Sequence, residues 1–300
     1  MAAPVFSVVL CTRNRAKLLT DALESLLAVD FRPQDFELCL VDNDSSDGTA
    51  LVVERFAKRA PFEVRYLLEK KIGLSAARNR AIREARGRYL FFTDDDQLVD
   101  PAVLREHLRV AQAHGARAIQ GAIALEFPAG RPSWLKGPLT TVFGQTQDVP
   151  EGPANIHLYG GNMVFEKSLF DGFAAFREDL GKGAVGYSED IEITRRLRAR
   201  GETIVYAPTA RIYHVIGPDR ASASFLRRNS FEKGYSDGHI KKGVRAWLVT
   251  RSLFEAAAQG AWALVSLPSP HHSILAQTRA FDHLGRALGV MKASRGSRPA

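Results

Sequence analysis

Residues 89–96 read Tyr-Leu-Phe-Phe-Thr-Asp-Asp-Asp, an apolar run that ends directly in three acidic residues. Two earlier stretches repeat this pattern: Val5–Cys11 runs into Thr12–Arg15, and Phe36–Val41 runs into Asp42–Asp44. Short, continuous apolar runs of branched and aromatic residues are typical of strands buried on both faces of a parallel sheet. The sequence therefore predicts three buried strands, each of which ends in a polar cluster.

Predicted helices alternate with these strands. Apolar residues recur at three- and four-residue steps in Arg15–Ala28, and helices are also predicted at Thr49–Ala60 and Leu74–Arg86, with a further strand at Phe62–Leu68. Such alternation is typical of a doubly wound α/β fold, whose parallel strands are joined by right-handed crossovers. Because ligands of such sheets bind beyond the carboxyl ends of the strands, we expect the polar clusters to converge on one crevice.

The middle of the chain continues this pattern less regularly. A helix is predicted at Ala102–His114 and a strand at Ala116–Leu125. The stretch Phe127–Pro153 is rich in Pro, Gly and Thr, and we expect it to form a loop over the site. The Gly160–Gly161 pair then opens a strand, and Ser188–Asp190 begins an amphipathic helix.

The composition is that of an ordinary globular protein, with 300 residues, 45% of them apolar and 25% charged. This length suits one large α/β domain or two smaller ones. Both cysteines, Cys11 and Cys39, lie in predicted strands, which excludes a disulfide-stapled secreted scaffold. No positive charge precedes the first apolar run, so we expect no signal peptide and a cytoplasmic protein.

The C-terminal third is basic. The whole chain has 41 Lys and Arg against 33 Asp and Glu, a net charge of +8, and residues 195–251 alone hold 13 basic residues against four acidic ones. Such a segment suits an anionic membrane, a phosphorylated ligand or nucleic acid, and equally a solvated surface. Overlapping it, Ala246–Leu267 is apolar and aromatic, but Arg251 and Glu255 interrupt it and disfavour a membrane-spanning helix. Two interpretations stay open for 241–267: a basic amphipathic helix at the inner face of a membrane, and a helix packed against the catalytic domain.

The acidic run Asp94–Asp96 poses an electrostatic problem, because neighbouring carboxylates repel unless a cation neutralises them. Oxygen ligands without a His/Cys zinc pattern point to Mg²⁺ or Mn²⁺, which takes one or two carboxylates and completes its shell with water and phosphates. A solvated turn is the alternative for this run. Asp42 suits a nucleobase or ribose, or else a plain turn, and Arg78 suits phosphates, or else a surface ion pair.

Six motifs, taken in order, resemble the family 2 glycosyltransferases of the GT-A fold over roughly residues 5 to 215. The motifs are Ser7–Arg15, Leu40–Thr49, Gly73–Asn79, Phe92–Asp96, Gly160–Met163 and Ser188–Asp190. The resemblance implies a mostly parallel, Rossmann-like nucleotide-binding sheet flanked by helices. We accordingly expect a catalytic domain over 1–215, with a nucleotide-binding half of about 1–100 and an acceptor-binding half of about 101–215. Beyond it we expect a basic, helical C-terminal extension over 216–293 and a disordered tail over 294–300.

The same resemblance implies an inverting, metal-dependent glycosyltransferase of polysaccharide or glycolipid biosynthesis. Its partners would be a nucleoside diphosphate sugar donor and a glycan or lipid-linked acceptor. Asp190 would be the general base, supported by Glu189, and the acidic (DXD) motif would hold Mn²⁺ or Mg²⁺ through Asp95, with Asp96 and His214 as further ligands. The register of this motif is ambiguous by one residue. The residues that would contact the donor are Thr12, Arg13, Asn14, Asp42, Arg78, Asp94, Gly161 and Asn162.

Two other functions stay open. Nucleotidyltransferases that act on sugar phosphates share a nucleotide-binding sheet with an acidic metal site, although Glu189–Asp190 after Gly160–Gly161 favours sugar transfer. The other alternative is a non-catalytic module that binds a membrane or nucleic acid through 195–251. Since the sequence has no nucleic-acid-binding motif, no nucleic acid partner is expected.

Overall fold

The computed structural model of the chain describes residues 3–146, 149–172, 175–240 and 246–295. Lys241, Lys242 and Arg245, which contribute to the predicted basic helix, lie outside these ranges. So do residues 296–300 of the predicted tail.

The described residues form two compact units. The first runs to Glu126 and continues in Gly144–Glu178 and Glu189–Val215. The second comprises Phe127–Phe143, Asp179–Ser188 and the chain from Ile216 onward. The predicted division of the chain into a catalytic domain and an extension at residue 215 stays a prediction.

The first unit starts with a parallel sheet. Its strands are β1 (Phe6–Thr12), β2 (Phe36–Asp42), β3 (Glu63–Leu68) and β4 (Tyr89–Asp94). They lie in the order β3-β2-β1-β4, and every neighbouring pair is parallel. This confirms the predicted doubly wound arrangement. It also brings the carboxyl ends of β1, β2 and β4 side by side, with Thr12 opposite Asp42 and Cys11 opposite Asp94.

Helices cover both faces of this sheet. The connections are α1 (Ala16–Leu27), α2 (Thr49–Ala57) and α3 (Leu74–Glu84). Every residue of β1 is buried, and its side chains alternate between the two faces. Leu10 packs in one apolar cluster with Leu23 of α1, and Val9 packs in the other with Ala81 of α3. Burial on both faces explains why the strand sequences are continuously apolar.

The rest of the first unit makes the sheet a mixed one. Its elements are β5 (Gln97–Val99), α4 (Val103–His114), β6 (Ala118–Glu126), β7 (Gly152–Pro153), β8 (Met163–Glu166), α5 (Glu189–Ala199) and β9 (Ile204–Val215). β8 lies antiparallel between β4 and β6, while β9 pairs parallel with β6 and antiparallel with β5 and β7. Over the described part of the chain the sheet has nine strands, and its parallel part carries the predicted crevice.

The second unit is helical. Its long helices are α6 (Ala223–Ile240), α7 (Ala246–Val265) and α8 (Pro270–Arg295), and α8 packs against both of the others. Gly234 and Gly238 of α6 face backbone carbonyls of α8, and Gly285 and Gly289 of α8 face those of α6. A Cβ at any of the four would clash with a carbonyl oxygen, so only glycine lets the two backbones lie this close. Among the described residues, no helix is both long and apolar enough to span a bilayer.

Candidate active site

The loops that follow β1 and β2 are tied to each other by hydrogen bonds. Asn14 adopts a left-handed backbone conformation (φ 53°), which asparagine tolerates better than most residues. Its N–H donates to Ser45 Oγ at 2.9 Å, and its Oδ1 accepts the Ser46 N–H at 2.7 Å. Asp47 Oδ2 accepts the N–H of Ala16, the first residue of α1, at 3.0 Å. The two predicted donor-binding loops therefore form one connected rim.

Asp42, the last residue of β2, is buried and held by two donors. Ser45 N–H donates to its Oδ1 at 2.9 Å, and the Tyr66 hydroxyl donates to its Oδ2 at 2.6 Å. Burial, and then this hydrogen bond, raise the pKa of Tyr66 to about 12, so the hydroxyl stays a donor at neutral pH. Each carboxylate oxygen can accept a second hydrogen bond. Asp42 is thus oriented to accept donors from a ligand, and Arg13 is exposed on the neighbouring loop.

Asp95 is held inside the site by Thr12 and Arg15. The Thr12 hydroxyl donates to Asp95 Oδ2 at 2.8 Å, and Arg15 Nη1 donates to Asp95 Oδ1 at 2.6 Å and to Asp96 Oδ2 at 3.1 Å. Burial, with Asp96 close by, raises the pKa of the Asp95 carboxyl even though Arg15 opposes the shift. Arg15 therefore offsets part of the carboxylate repulsion that the sequence pattern assigned to a metal ion. Each oxygen of Asp95 thus has one partner within the protein, and the expectation that Asp95 is the principal metal ligand stays a prediction.

Asp96 and His214 are neighbours, as the prediction required. β5 and β9 pair antiparallel with Gln97 opposite His214, and this register brings His214 Nε2 to 3.5 Å from Asp96 Oδ1. Within the ranges that the structure describes, no group of three or more His, Cys, Asp or Glu side chains is arranged to hold a metal ion. Asp96 and His214 thus supply one carboxylate and one imidazole at the predicted metal position.

Arg78 connects the acidic run of β4 to the start of α5. The side chain is buried, and its Nη1 donates to Glu189 Oε1 at 2.8 Å while Nη2 lies 3.4 Å from Asp94 Oδ1. The guanidinium carbon lies 5.4 Å from the centre of the Phe176 ring. Burial, and then the neighbouring Asp190, raise the pKa of Glu189 to about 7, although Arg78 acts in the opposite direction. Arg78 is thus a fixed positive charge among the acids of the site.

Two glycines make room for this packing. A Cβ at Gly160 would clash with Arg78 Nη2, and a Cβ at Gly161 would clash with Gln97 Nε2. Gln97 in turn accepts the Asp94 N–H at 3.0 Å and so fixes the end of β4. The Gly160–Gly161 pair therefore lets the Arg78 and Gln97 side chains lie directly against the backbone.

Asp190 is the more accessible of the two acids on α5. Glu189 is buried and paired, whereas Asp190 is half-buried in the first helical turn. Its Oδ1 accepts the Ile191 N–H at 2.8 Å, and its Oδ2 accepts the Gly160 N–H at 3.3 Å. These bonds aim the carboxylate toward the glycine pair.

Asn162 joins three elements of the first unit. Its side chain is fully buried, and its amide nitrogen donates to Ala122 O at 2.8 Å and to Ala210 O at 3.0 Å. Its Oδ1 lies 2.8 Å from His107 Nε2. Both amide hydrogens are used inside the fold, between β6, β9 and α4, and the predicted contact of Asn162 with a donor stays a prediction.

Most of the predicted site residues belong to one connected set in the first unit. That set comprises Thr12, Arg78, Asp94, Asp95, Asp96, Gly161, Glu189, Asp190 and His214. The side chains that sequence reasoning missed are Arg15, Tyr66, Gln97 and Phe176. Arg15 had a usable signal, because it stands in the polar cluster after β1 and the predicted topology places that cluster beside Asp94–Asp96.

Comparison with known proteins places this geometry in context. The chain matches the sequence family described as Glycosyl transferase family 2 over residues 7–173, more than half of its length. It is also similar to the succinoglycan biosynthesis protein ExoM of Rhizobium meliloti (strain 1021). The two are 25% identical over 289 residues, which are 94% of this chain and 91% of that protein.

Two solved structures share the fold. The mannosyltransferase PcManGT from Pyrobaculum calidifontis, in complex with GDP-Man and Mn²⁺, aligns with a TM-score of 0.61 and 16% identity, covering 100% of this chain and 77% of that one. TarS 1-349 of S. aureus, in complex with UDP-GlcNAc, aligns with a TM-score of 0.54 and 18% identity, covering 98% and 92%. At these identities the likeness shows a common GT-A fold.

Proposed function

We propose that this chain, which belongs to glycosyl transferase family 2, transfers a sugar from a nucleoside diphosphate sugar to a hydroxyl group of a glycan or lipid-linked acceptor. Family membership makes it a glycosyltransferase and sets aside the nucleotidyltransferase alternative. The observation that carries the proposal is the single connected site in which the ends of β1 and β4 meet the Glu189–Asp190 pair through Arg78.

The donor nucleotide would lie across the carboxyl ends of the parallel strands. Asp42 is held in place with free acceptor capacity for the edge of a base, and Asp94, whose side chain is 33% exposed, suits the ribose hydroxyls. Arg13, exposed on the loop after β1, suits the diphosphate. The similar structures, which hold GDP-Man and UDP-GlcNAc, support a nucleotide sugar as the class of donor.

The residues at the metal position suit a divalent cation. Asp96 and His214 would hold Mn²⁺ or Mg²⁺, since such ions take one or two protein ligands and fill the remaining positions with phosphates and water. A bound cation supplies positive charge against the leaving diphosphate. Asp95 is better suited to positioning, because Thr12 and Arg15 hold it.

Asp190 would act as the general base. Its carboxylate accepts the proton of the acceptor hydroxyl as that oxygen attacks the anomeric carbon, and the nucleoside diphosphate departs from the opposite face with inversion. Glu189 is buried against Arg78, so it orients the start of α5 rather than receiving the proton. The positive charge of Arg78 offsets part of the repulsion between Glu189, Asp190 and Asp94.

The biological product is proposed to be a polysaccharide precursor, in line with the printed name of the Rhizobium meliloti relative. The test is nucleotide release from UDP-, GDP-, TDP- and CDP-sugars by the purified chain, with a mixture of oligosaccharides and lipid-linked sugars as hydroxyl acceptors, in Mn²⁺ or in EDTA. One donor should release its nucleoside diphosphate in the presence of Mn²⁺.

The variant Asp190→Asn should lower this turnover by about 100-fold or more, while nucleotide affinity stays the same. The matched control is Glu192→Gln, which changes an acid on the same helix whose carboxylate is paired with Arg196 at 2.9 Å. That control should keep its turnover. Full activity in Asp190→Asn, or no nucleotide release from any donor, contradicts the proposal.

A further inference from the structure

Exposed large apolar side chains are concentrated on the two C-terminal helices. Of sixteen such side chains among the described residues, five lie before residue 73 and the other eleven lie between Trp247 and Met291. The most exposed are on α7, where Phe254 is 76% accessible, Val265 70% and Leu264 69%, and Trp262 on the same helix is 57% accessible. Soluble monomers expose contiguous apolar surface of this kind mainly where something binds.

α7 buries its small side chains and exposes its large apolar ones, which is the reverse of the usual arrangement in a surface helix. Its buried stripe consists of small residues, Ser252, Ala256 and Ala263, which recur at helical spacing. The opposite face carries the large side chains. Trp247, Phe254 and Val265 fall within about 20° of one another around the helix axis, at 100° per residue. A helix packed only against its own protein would place its large apolar residues inward.

Basic residues outnumber acidic ones on the two C-terminal helices. Residues 246–295 contain five Lys or Arg and two acidic residues, although Arg286 and Lys292 of α8 face α6. Arg251 is exposed on the same side as Trp247. Glu255, the acid of α7, is partly covered and accepts from Arg251 at 2.9 Å, with His283 Nδ1 3.0 Å away. Anionic headgroups complement such a face, whereas a second copy of the chain would bring the same charge to it.

The aromatic residues fit an interface between lipid and water. Tryptophan concentrates at the headgroup level, where its ring is apolar and its N–H is hydrogen-bonded. Trp247 and Trp262 stand near the two ends of a helix of 20 residues, which is about 30 Å long. An apolar face of this length with a basic surround is typical of a helix that lies in the membrane plane.

We infer that α7 lies on an anionic membrane surface, with Trp247, Phe254 and Trp262 inserted at the headgroup level. The inserted side chains supply the apolar contact, and the basic residues supply attraction to the headgroups. This goes beyond sugar transfer and does not depend on it.

The test is flotation of the purified full chain with vesicles of phosphatidylcholine alone and of equimolar phosphatidylcholine and phosphatidylglycerol. The chain should float with the anionic vesicles, and high salt should weaken this binding. The double variant Phe254→Ser/Trp262→Ser should bind at least about tenfold more weakly. The matched control is Leu51→Ser/Leu68→Ser, which alters similarly exposed leucines (49% and 43%) on the first unit and should bind like the native chain.

A second measurement starts from the native chain and uses a conservative double variant as its control. Brominated lipid in the anionic vesicles should quench the tryptophan fluorescence of the native chain, and this quenching should disappear in Trp247→Phe/Trp262→Phe, which retains Trp134. Nucleotide release without vesicles should be the same in all variants, which separates this inference from the proposed function. Absence of binding to the anionic vesicles overturns it. Unchanged binding of Phe254→Ser/Trp262→Ser also overturns it. A dimer that is seen by light scattering and that Phe254→Ser/Trp262→Ser dissociates overturns it as well, since a second copy of the chain would then cover the face.

Discussion

Replacing Arg78 by methionine should destabilise the protein, and more so at high pH than at low pH. Arg78 is 3% exposed and its partner Glu189 is 6% exposed, with 2.8 Å between nitrogen and oxygen. Breaking a buried pair by removing one partner typically costs about 3–5 kcal/mol, because the other charge is left buried and uncompensated. Methionine keeps most of the volume of the side chain, so the loss reports mainly on charge.

The sign of the pH dependence follows from the pKa of Glu189, which burial raises above its ordinary value of 4.5. A carboxyl whose folded pKa is raised contributes its full stability below the unfolded pKa and loses it as the pH rises through the folded pKa. In Arg78→Met this pKa should rise further, since Arg78 lowers it in the native protein. The loss of stability should therefore be greater near pH 8 than near about pH 5, where Glu189 is protonated. The difference should be at most about 1.4 kcal/mol, because the pKa of Glu189 is already about 7 in the native protein.

Thermal melting at the two pH values measures this effect. A loss of about 3–5 kcal/mol corresponds to a fall in Tm of roughly 10 °C for a chain of this size. The double variant Arg78→Met/Glu189→Gln removes both charges and should recover most of the loss at pH 8. An equal fall in Tm at both pH values, or no recovery in the double variant, would refute the reasoning.

Three further predictions concern single positions. Gly160→Ala should lower turnover at least about tenfold, because its methyl group would displace Arg78. The control Gly260→Ala, at a position with open space on α7, should leave turnover unchanged. Equal activities of the two variants in a nucleotide-release assay would contradict this prediction. His107 is buried and its pKa is lowered from 6.5 to about 4, so its contribution to stability is present above pH 6.5 and is lost as the pH falls toward 4. Between pH 6.5 and pH 4, the variant His107→Gln should lose about 3 kcal/mol less unfolding free energy than the native protein, as measured by thermal melting. An equal loss in both proteins would show that His107 does not cause the acid destabilisation. Asp96→Asn should bring nucleotide affinity in Mn²⁺ down to the value in EDTA, and a titration that still shows a metal effect would remove Asp96 from the metal site.

The parallel part of the fold follows from local sequence because burial on both faces leaves a strong signal. β1, β2 and β4 are continuous apolar runs, and each predicted boundary lies within one residue of the observed one. β5 has only three residues and directly follows the acidic run, so no periodicity marks it. β8 pairs antiparallel with β4 and β6, which are distant from it in sequence. Such pairings are determined by tertiary contacts, which a local sequence pattern does not encode.

The sequence predicted which residues lie near the site, but not the hydrogen bonds and ion pairs between them. The positions of Asp42, Asp94 and Glu189 follow from strand ends and a helix start. Which acid faces a cation and which faces an arginine depends on contacts across about 80 residues of chain, as between Arg15 and Asp95. The Gly-Gly-Asn motif likewise does not reveal that the Asn162 amide bonds to Ala122 and Ala210 inside the fold. A sequence pattern identifies polar side chains at an edge of the sheet, but the competing donors in the fold decide which of them reach the ligand.

The proposed function requires that the carboxyl ends of β1, β2 and β4 form a metal-assisted binding site for a nucleoside diphosphate. Calorimetric titration of the purified chain with UDP, GDP, TDP and CDP, each with Mn²⁺ and with EDTA, examines this site without the need for an acceptor. We expect that one of the four binds in Mn²⁺, that EDTA weakens this binding, and that Asp42→Asn weakens it while Leu51→Ser does not. Absence of binding by all four in Mn²⁺, or binding that Asp42→Asn leaves unchanged, would contradict it.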